Sequence, residues 1–235
     1  NPSVSQVGRG EPIKDTARVL SRYLNAVAIR TFAQSDLQAY ANAASIPIIN
    51  ALTDLEHPCQ ALADYLTMQE AFGSLEGLTM TYVGDGNNVA HSLLIAGALL
   101  GVNVRIGCPA GFYPLEEVVE QARDLSGGRC EISISEDPTE AVRGAHAVYT
   151  DVWASMGQEE EQSTRVQAFR GFCVNEALMS HADAKAIVLH CLPAHRGEEI
   201  SAEVMESHAS RIFDQAENRL HAQQALLATL LGAKG

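Results

Sequence analysis

The chain has 235 residues, 46% hydrophobic and 19% charged, with a formal net charge of −13. That length can bury a sizeable core in one large domain or two modest ones, and the acidic balance repels nucleic acid and anionic membrane surfaces. No apolar run reaches membrane-spanning length and no signal-peptide pattern is present, so the sequence reads as a soluble protein that is not secreted. Five cysteines without a C-x-x-C pair argue against a disulfide framework or structural zinc, and for a reducing compartment such as the cytoplasm.

Residues 15–24 carry Thr16, Leu20 and Leu24 at helical spacing, and residues 26–29 form a short apolar strand that delivers Arg30 at its end. Residues 37–44 read as helix and 47–50 as the next strand. Such alternation marks a parallel sheet covered by helices. His57-Pro58 opens a helix through residue 71, with Leu62, Tyr65, Leu66 and Met68 as its apolar positions and Gly73 as its stop.

A second α/β run follows: strand 78–83, helix 88–100, strand 102–107, helix 114–125, strand 130–135, a short helix 138–142 and strand 147–150 ending at Asp151. Residues 154–165, with three consecutive glutamates, read as a mobile loop. Residues 187–190 are an apolar strand that stops at Cys191-Leu192-Pro193. Ser201 caps a short helix, residues 211–213 read as extended, and a terminal helix spans 218–231. The expectation is an α/β protein of two three-layer parallel-sheet domains, the first incomplete, linked by interdomain helices. Residues 1–57 with 217–235 would form one domain and 58–216 the other.

The turn Gly84-Asp85-Gly86-Asn87-Asn88 tempts a dinucleotide reading, but its third glycine position is Val89, and the next strand ends in Gly107-Cys108 where a ribose-binding carboxylate is needed. What remains is a turn that sets Asn87 and Asn88 at a helix N-terminus, beside N–H groups suited to a carboxylate. Ser163-Thr164-Arg165 resembles part of a phosphate loop, yet no strand precedes it, so it reads as loop or helix start. Taken singly, Arg30 could be a surface ion-pair partner, His57 or Asp151 a capping residue, and Cys191 a buried thiol. Their common address argues otherwise. Arg30, His57, the Asn87-Asn88 turn, Asp151 and His190-Cys191 all fall at strand ends or the turns after them, which a parallel sheet gathers on one edge.

These residues resemble the ornithine carbamoyltransferases, in the aspartate/ornithine carbamoyltransferase superfamily. The matching segments run in family order: Asp15-Thr-Ala-Arg-Val-Leu, His57-Pro-Cys-Gln60, Gly84-Asp-Gly-Asn-Asn88, Asp151-Val-Trp-Ala-Ser-Met-Gly157, His190-Cys-Leu-Pro193 and Phe213-Asp-Gln-Ala-Glu-Asn-Arg219. The resemblance implies transfer of a carbamoyl group from carbamoyl phosphate to the δ-amine of L-ornithine, giving citrulline and phosphate in arginine and citrulline metabolism, without metal or organic cofactor. Arg30 and His57 would face the carbamoyl oxygen, where negative charge builds. Gln60 and the Leu192 carbonyl would hold the carbamoyl NH2, and Arg219 would reach the same side.

Asp151 and Cys191 would position ornithine and assist proton removal, with the base left open between them. Asn88, Ser155 and Met156 would meet its α-carboxylate and α-amine. The family's Ser-x-Arg-Thr phosphate loop lies upstream of the Asp15 segment and has no counterpart here, so the chain is expected to lack an N-terminal portion and to be weakly active or inactive alone. Gln6 matches a residue lent to a neighbouring subunit, which implies a homotrimer for the full-length protein. A sibling enzyme for putrescine or an acylated ornithine, or a non-catalytic amino-acid-binding homologue, would share most of these motifs.

Overall fold

Two parallel β-sheets organise the chain, of which the computed structural model describes residues 10–154 and 162–232. The first unit runs α1 (Ile13–Tyr23), β1 (Val27–Arg30), α2 (Gln34–Ala43) and β2 (Ile48–Leu52). The two strands pair in parallel with Val27 opposite Ile48, and α2 supplies the crossover that a parallel pair needs. Arg30 therefore sits at the C-terminal end of β1. Helix α3 (Pro58–Phe72) leads to the second unit, with His57 at its N-cap and Pro58 in its first turn, where a missing N–H costs nothing. Tyr65 and Met68 are buried as expected, but Leu62 is 44% exposed. Ala61, Tyr65 and Met68 share one helical stripe, and Leu62 lies about 100° away from Ala61 around the axis.

The second unit contains β3 (Thr79–Val83), α4 (Asn88–Leu100), β4 (Asn103–Gly107), α5 (Glu116–Ser126), β5 (Ile132–Ser135), α6 (Pro138–Val142), β6 (Ala147–Thr150) and β7 (Ile187–His190). Its strands form one parallel sheet in the order β5-β4-β3-β6-β7. Every residue of β3, β6 and β7 is buried, because helices cover both faces. Alternate strand residues feed two cores. Tyr82, Tyr149 and Leu189 join Leu93 and Leu94 of α4 on one face, while Val83, Val148 and Val188 join Phe169 and Ile212 on the other. This is the expected three-layer α/β architecture. The chain starts in the middle at β3, winds outward to β5, then crosses to β6, so strand order reverses between β3 and β6.

Two segments differ from expectation. Residues 154–165 read as loop, but α7 (Gln162–Ala168) begins inside that stretch, and residues 155–161 lie outside the described part. Residues 211–213 read as extended, yet α10 (Ile212–Leu230) starts there, six positions before the expected Asn218. The β-branched and aromatic pair Ile212-Phe213 favours strand locally, but burial of Ile212, Gln215 and Asn218 along one stripe imposes the helix. Polar residues in that stripe hid its period. Between α7 and α10 lie two short helices, α8 (Glu176–Met179), which the sequence did not reveal, and α9 (Ala202–Met205), capped by Ser201 as expected.

α10 lies along α3 and is tied to it by polar contacts. Gln215 Nε2 donates to Asp64 Oδ1 at 2.6 Å, and Asn218 Nδ2 donates to Thr67 Oγ1 at 3.0 Å and Glu70 Oε2 at 2.6 Å.

Candidate active site

A cavity of about 670 Å3 opens where strand order reverses, the position at which open parallel sheets bind ligands. Its lining includes Arg30, His57, Asn88, Asp151, Cys191, Leu192 and Arg219, residues drawn from both units. The turn after β3 forms its floor. A Cβ on Gly86 would stand 2.1 Å from the backbone nitrogen of Pro114, so only glycine allows that approach. Asn87 Oδ1 accepts the N–H groups of Val89 at 2.9 Å and Ala90 at 3.2 Å, which caps α4. Those N–H groups are thus taken by the protein itself rather than offered to a ligand carboxylate, contrary to the sequence reading. Asn87 Nδ2 donates across the reversal to Asp151 Oδ2 at 3.0 Å, and Asn88 Nδ2 donates to the Thr53 carbonyl at 2.6 Å.

Asp151 follows β6, and its Oδ1 accepts the Val152 N–H at 2.8 Å and the Cys191 thiol at 3.0 Å. Burial pushes the Cys191 thiol well above its ordinary range, and the Asp151 carboxylate adds to the effect. The thiol is therefore held as a donor to Asp151. His190, at the end of β7, accepts the Leu192 N–H on Nδ1 at 2.8 Å, which puts its proton on Nε2, 3.1 Å from buried Glu199 Oε1. Leu192 has φ +60°, a left-handed backbone that costs a non-glycine residue about 1 kcal/mol and is held by that turn. Asp151, His190 and Cys191 have donor atoms within 4.8 Å of one another, but both ring nitrogens and the thiol are committed to these hydrogen bonds.

His57 is fastened by its backbone N–H to Ser92 Oγ at 2.7 Å. Burial pushes its ring down to about 4, with Arg219 and Arg30 adding their charge. It is a neutral imidazole at pH 7, and its Nδ1 has no hydrogen-bond partner among the described residues. Gln60 is buried behind Arg219, which donates from Nη1 to Gln60 Oε1 at 2.6 Å. Arg30 and Arg219 thus bring two cations beside His57, while Asp151 presents a carboxylate beside Cys191.

Sequence reasoning missed a buried ion pair in the lining. Arg165 Nη1 donates to Asp85 Oδ2 at 2.7 Å and to the Trp153 carbonyl at 3.0 Å, and the guanidinium lies 5.1 Å from the Phe112 ring centroid. Asp85 sits inside the quoted glycine turn, and a carboxylate there that is not a helix cap was the available clue. Gln6, Ser155 and Met156 lie outside the described residues.

Residues 1–70 match the carbamoyl phosphate-binding domain of aspartate/ornithine carbamoyltransferases, and residues 76–230 match the aspartate/ornithine-binding domain. An ornithine carbamoyltransferase of Prochlorococcus marinus (strain MIT 9313) is 71% identical over 99% of this chain and 73% of its own length. The solved ornithine carbamoyltransferase of Pyrococcus furiosus superposes with a TM-score of 0.93 at 49% identity, over 98% of this chain and 74% of that one. That of Gloeobacter violaceus gives 0.88 at 56% identity, over 94% and 75%. Two domain matches in register with a cavity between two parallel-sheet units leave one conclusion: the chain belongs to the aspartate/ornithine carbamoyltransferase family, among its ornithine carbamoyltransferases.

Proposed function

We propose that the cavity transfers the carbamoyl group of carbamoyl phosphate to the δ-amine of L-ornithine, yielding citrulline and phosphate. The observation that carries this reading is the meeting in one cavity of a donor cluster, Arg30, His57 and Arg219, and a cluster of Asp151 with Cys191 and Leu192. Arg30 and Arg219 neutralise the phosphate. Arg30 and the neutral His57 N–H donate to the carbamoyl oxygen as it gains charge under attack. Gln60 Oε1 and the Leu192 carbonyl accept from the carbamoyl NH2 and turn its carbon toward the amine.

Ornithine reacts as the free amine, although an alkyl amine has a pKa of about 10.4 in water. Asp151 attracts the ammonium form and accepts its proton, directly or through water, while Cys191 stays protonated and shapes the carboxylate. The amine then attacks, the attacking nitrogen gives up its extra proton to the departing phosphate oxygen, and the tetrahedral intermediate collapses with cleavage of the C–O bond to phosphate. Asn88, Ser155 and Met156 hold the α-carboxylate and α-amine, and Gln6 reaches the site of a neighbouring subunit in a homotrimer.

The division into a carbamoyl phosphate domain (1–57 with 217–235) and an ornithine domain (58–216) makes α3 and α10 the paired connectors. Five free thiols suit a cytoplasmic enzyme without a cofactor, and the role belongs to arginine and citrulline metabolism. A citrulline assay with ornithine and putrescine as competing acceptors tests the reading. Citrulline forms from ornithine and putrescine is inert; turnover of putrescine alone, or of neither at saturating carbamoyl phosphate, refutes it.

A further inference from the structure

Asp64 has no solvent exposure and no role in the steps above. It lies one turn beyond Gln60 on α3, and its Oδ1 accepts amide hydrogen bonds from two glutamines, Gln60 Nε2 at 2.8 Å and Gln215 Nε2 at 2.6 Å. A primary amide has a donor end and an acceptor end, whereas this oxygen only accepts. Both amides must therefore turn their NH2 groups toward Asp64 and their oxygens away. The Gln60 oxygen consequently meets Nη1 of the cavity-lining Arg219 at 2.6 Å. The Gln215 oxygen accepts the His190 backbone N–H at 2.9 Å, at the end of the strand that delivers Cys191 and Leu192.

One buried oxygen thus sets the polarity of two amides, one against Arg219 and one behind the His190-Cys191 strand end. The arrangement survives protonation. Burial pushes the Asp64 carboxyl up to about 7, against the two amide bonds and Arg219, but a proton on Oδ2 leaves Oδ1 an acceptor. The Tyr149 hydroxyl faces Asp64 from β6.

We infer that Asp64 is a positioning residue for the carbamoyl group: by holding the Gln60 NH2 away from the cavity-lining Arg219, it keeps the Gln60 oxygen beside that arginine, with one lone pair taken by Nη1 and the other left to accept from the carbamoyl NH2. The inference rests on the functional reading above, and it predicts that Asp64 matters far more for the carbamoyl end of the substrate than for the phosphate end, where the Arg30 and Arg219 charges remain when the Gln60 contact loosens.

Calorimetric titration of the whole protein with carbamoyl phosphate and with inorganic phosphate separates those ends. Asp64→Leu keeps the side-chain size and removes the acceptor, so its Kd for carbamoyl phosphate rises about tenfold, the worth of one hydrogen bond, while that for phosphate moves less than about twofold. Asp64→Asn retains an oxygen at the Oδ1 position and holds both Kd values within about twofold of the parent protein. In turnover, Asp64→Leu raises KM for carbamoyl phosphate several-fold more than KM for ornithine, which Asp64 reaches only through Gln215 and the His190 backbone.

Equal carbamoyl phosphate affinity in Asp64→Leu and the parent overturns the inference. So does parallel weakening of both anions, which marks general distortion, or a tenfold loss in Asp64→Asn, which marks a need for charge. Should Asp64→Leu not fold, Asp64→Ser replaces it with the same expectations, because its hydroxyl is too short to reach both amides. A parent protein that does not distinguish carbamoyl phosphate from phosphate removes the functional reading and this inference with it, and that failure is visible before any variant is made.

Discussion

Replacing Arg165 by methionine is expected to destabilise the fold by about 3–5 kcal/mol, the cost of stranding one member of a buried ion pair. The side chains of Arg165 and Asp85 are 8% and 10% exposed, so water can do little to re-solvate the carboxylate left behind. The same guanidinium also donates to the Trp153 carbonyl and lies over Phe112, contacts that methionine replaces only by packing. Trp153 is the chain's sole tryptophan, 6% exposed and stacked on Phe169 at 5.6 Å, which makes its fluorescence a local reporter of this corner.

Guanidinium titrations read by that fluorescence should show the transition of Arg165→Met moving to lower denaturant at unchanged m-value. The double variant Arg165→Met/Asp85→Leu should recover at least about half of the loss, since an apolar pair of similar volume is often no worse than a buried ion pair. A single variant within about 1 kcal/mol of the parent, or a double variant less stable than the single, would refute the reasoning, because the carboxylate would then be hydrated and not dependent on Arg165.

His57 titrates at about 4 in the folded chain, below its value of about 6.5 when unfolded, so the unfolded state binds the extra proton between those values and stability falls as pH drops through that window. The group should make the protein about 2 kcal/mol less stable at pH 5 than at pH 8; urea titrations of the parent and His57→Gln check this, and equal pH dependence in the two would count against it. Cys191, held protonated against Asp151, should resist iodoacetamide at pH 8 far longer than a free thiol, as followed by peptide mass spectrometry; rapid alkylation would show a thiolate. Gly86→Ala should cost at least about 2 kcal/mol and lower the melting temperature, since its Cβ overlaps the backbone at Pro114; an unchanged melting temperature would show that the 113–114 segment yields freely.

The succession of strands along the chain and most of their limits were readable because buried parallel strands are apolar runs ending in Gly, Asp or Pro, as at Val83-Gly84 and Thr150-Asp151, whereas their order in the sheet came only from the structure. Arg30, His57, Asp151 and Cys191 were likewise recognisable from their address at strand ends, and all four line the cavity. The start of α10 was hidden because Gln215 and Asn218 hold buried positions where a periodicity search expects apolar side chains. Asp64 escaped for a related reason: its partners come from Gln60 four residues away and from Gln215, 151 positions away, and only packing brings the second one near. A polar stripe at His57, Gln60 and Asp64 on one face of α3 was the available signal, of which only His57 and Gln60 were given a role. Arg165 was set aside with a phosphate-loop look-alike, and its ion pair with Asp85 spans 80 residues that no local pattern connects.

The seam between α3 and α10 also dictates when a growing chain can work. Gln60 and Arg219 are 159 positions apart, an interval of roughly 8–30 s at translation rates of about 5–20 residues per second. A nascent chain that has reached residue 200 can pair all its strands, yet Gln60 and Asp64 still lack the side chains that orient them. Arg219 is then missing beside Gln60 and Gln215 is missing behind His190, so both sides of the cavity wait for the same helix.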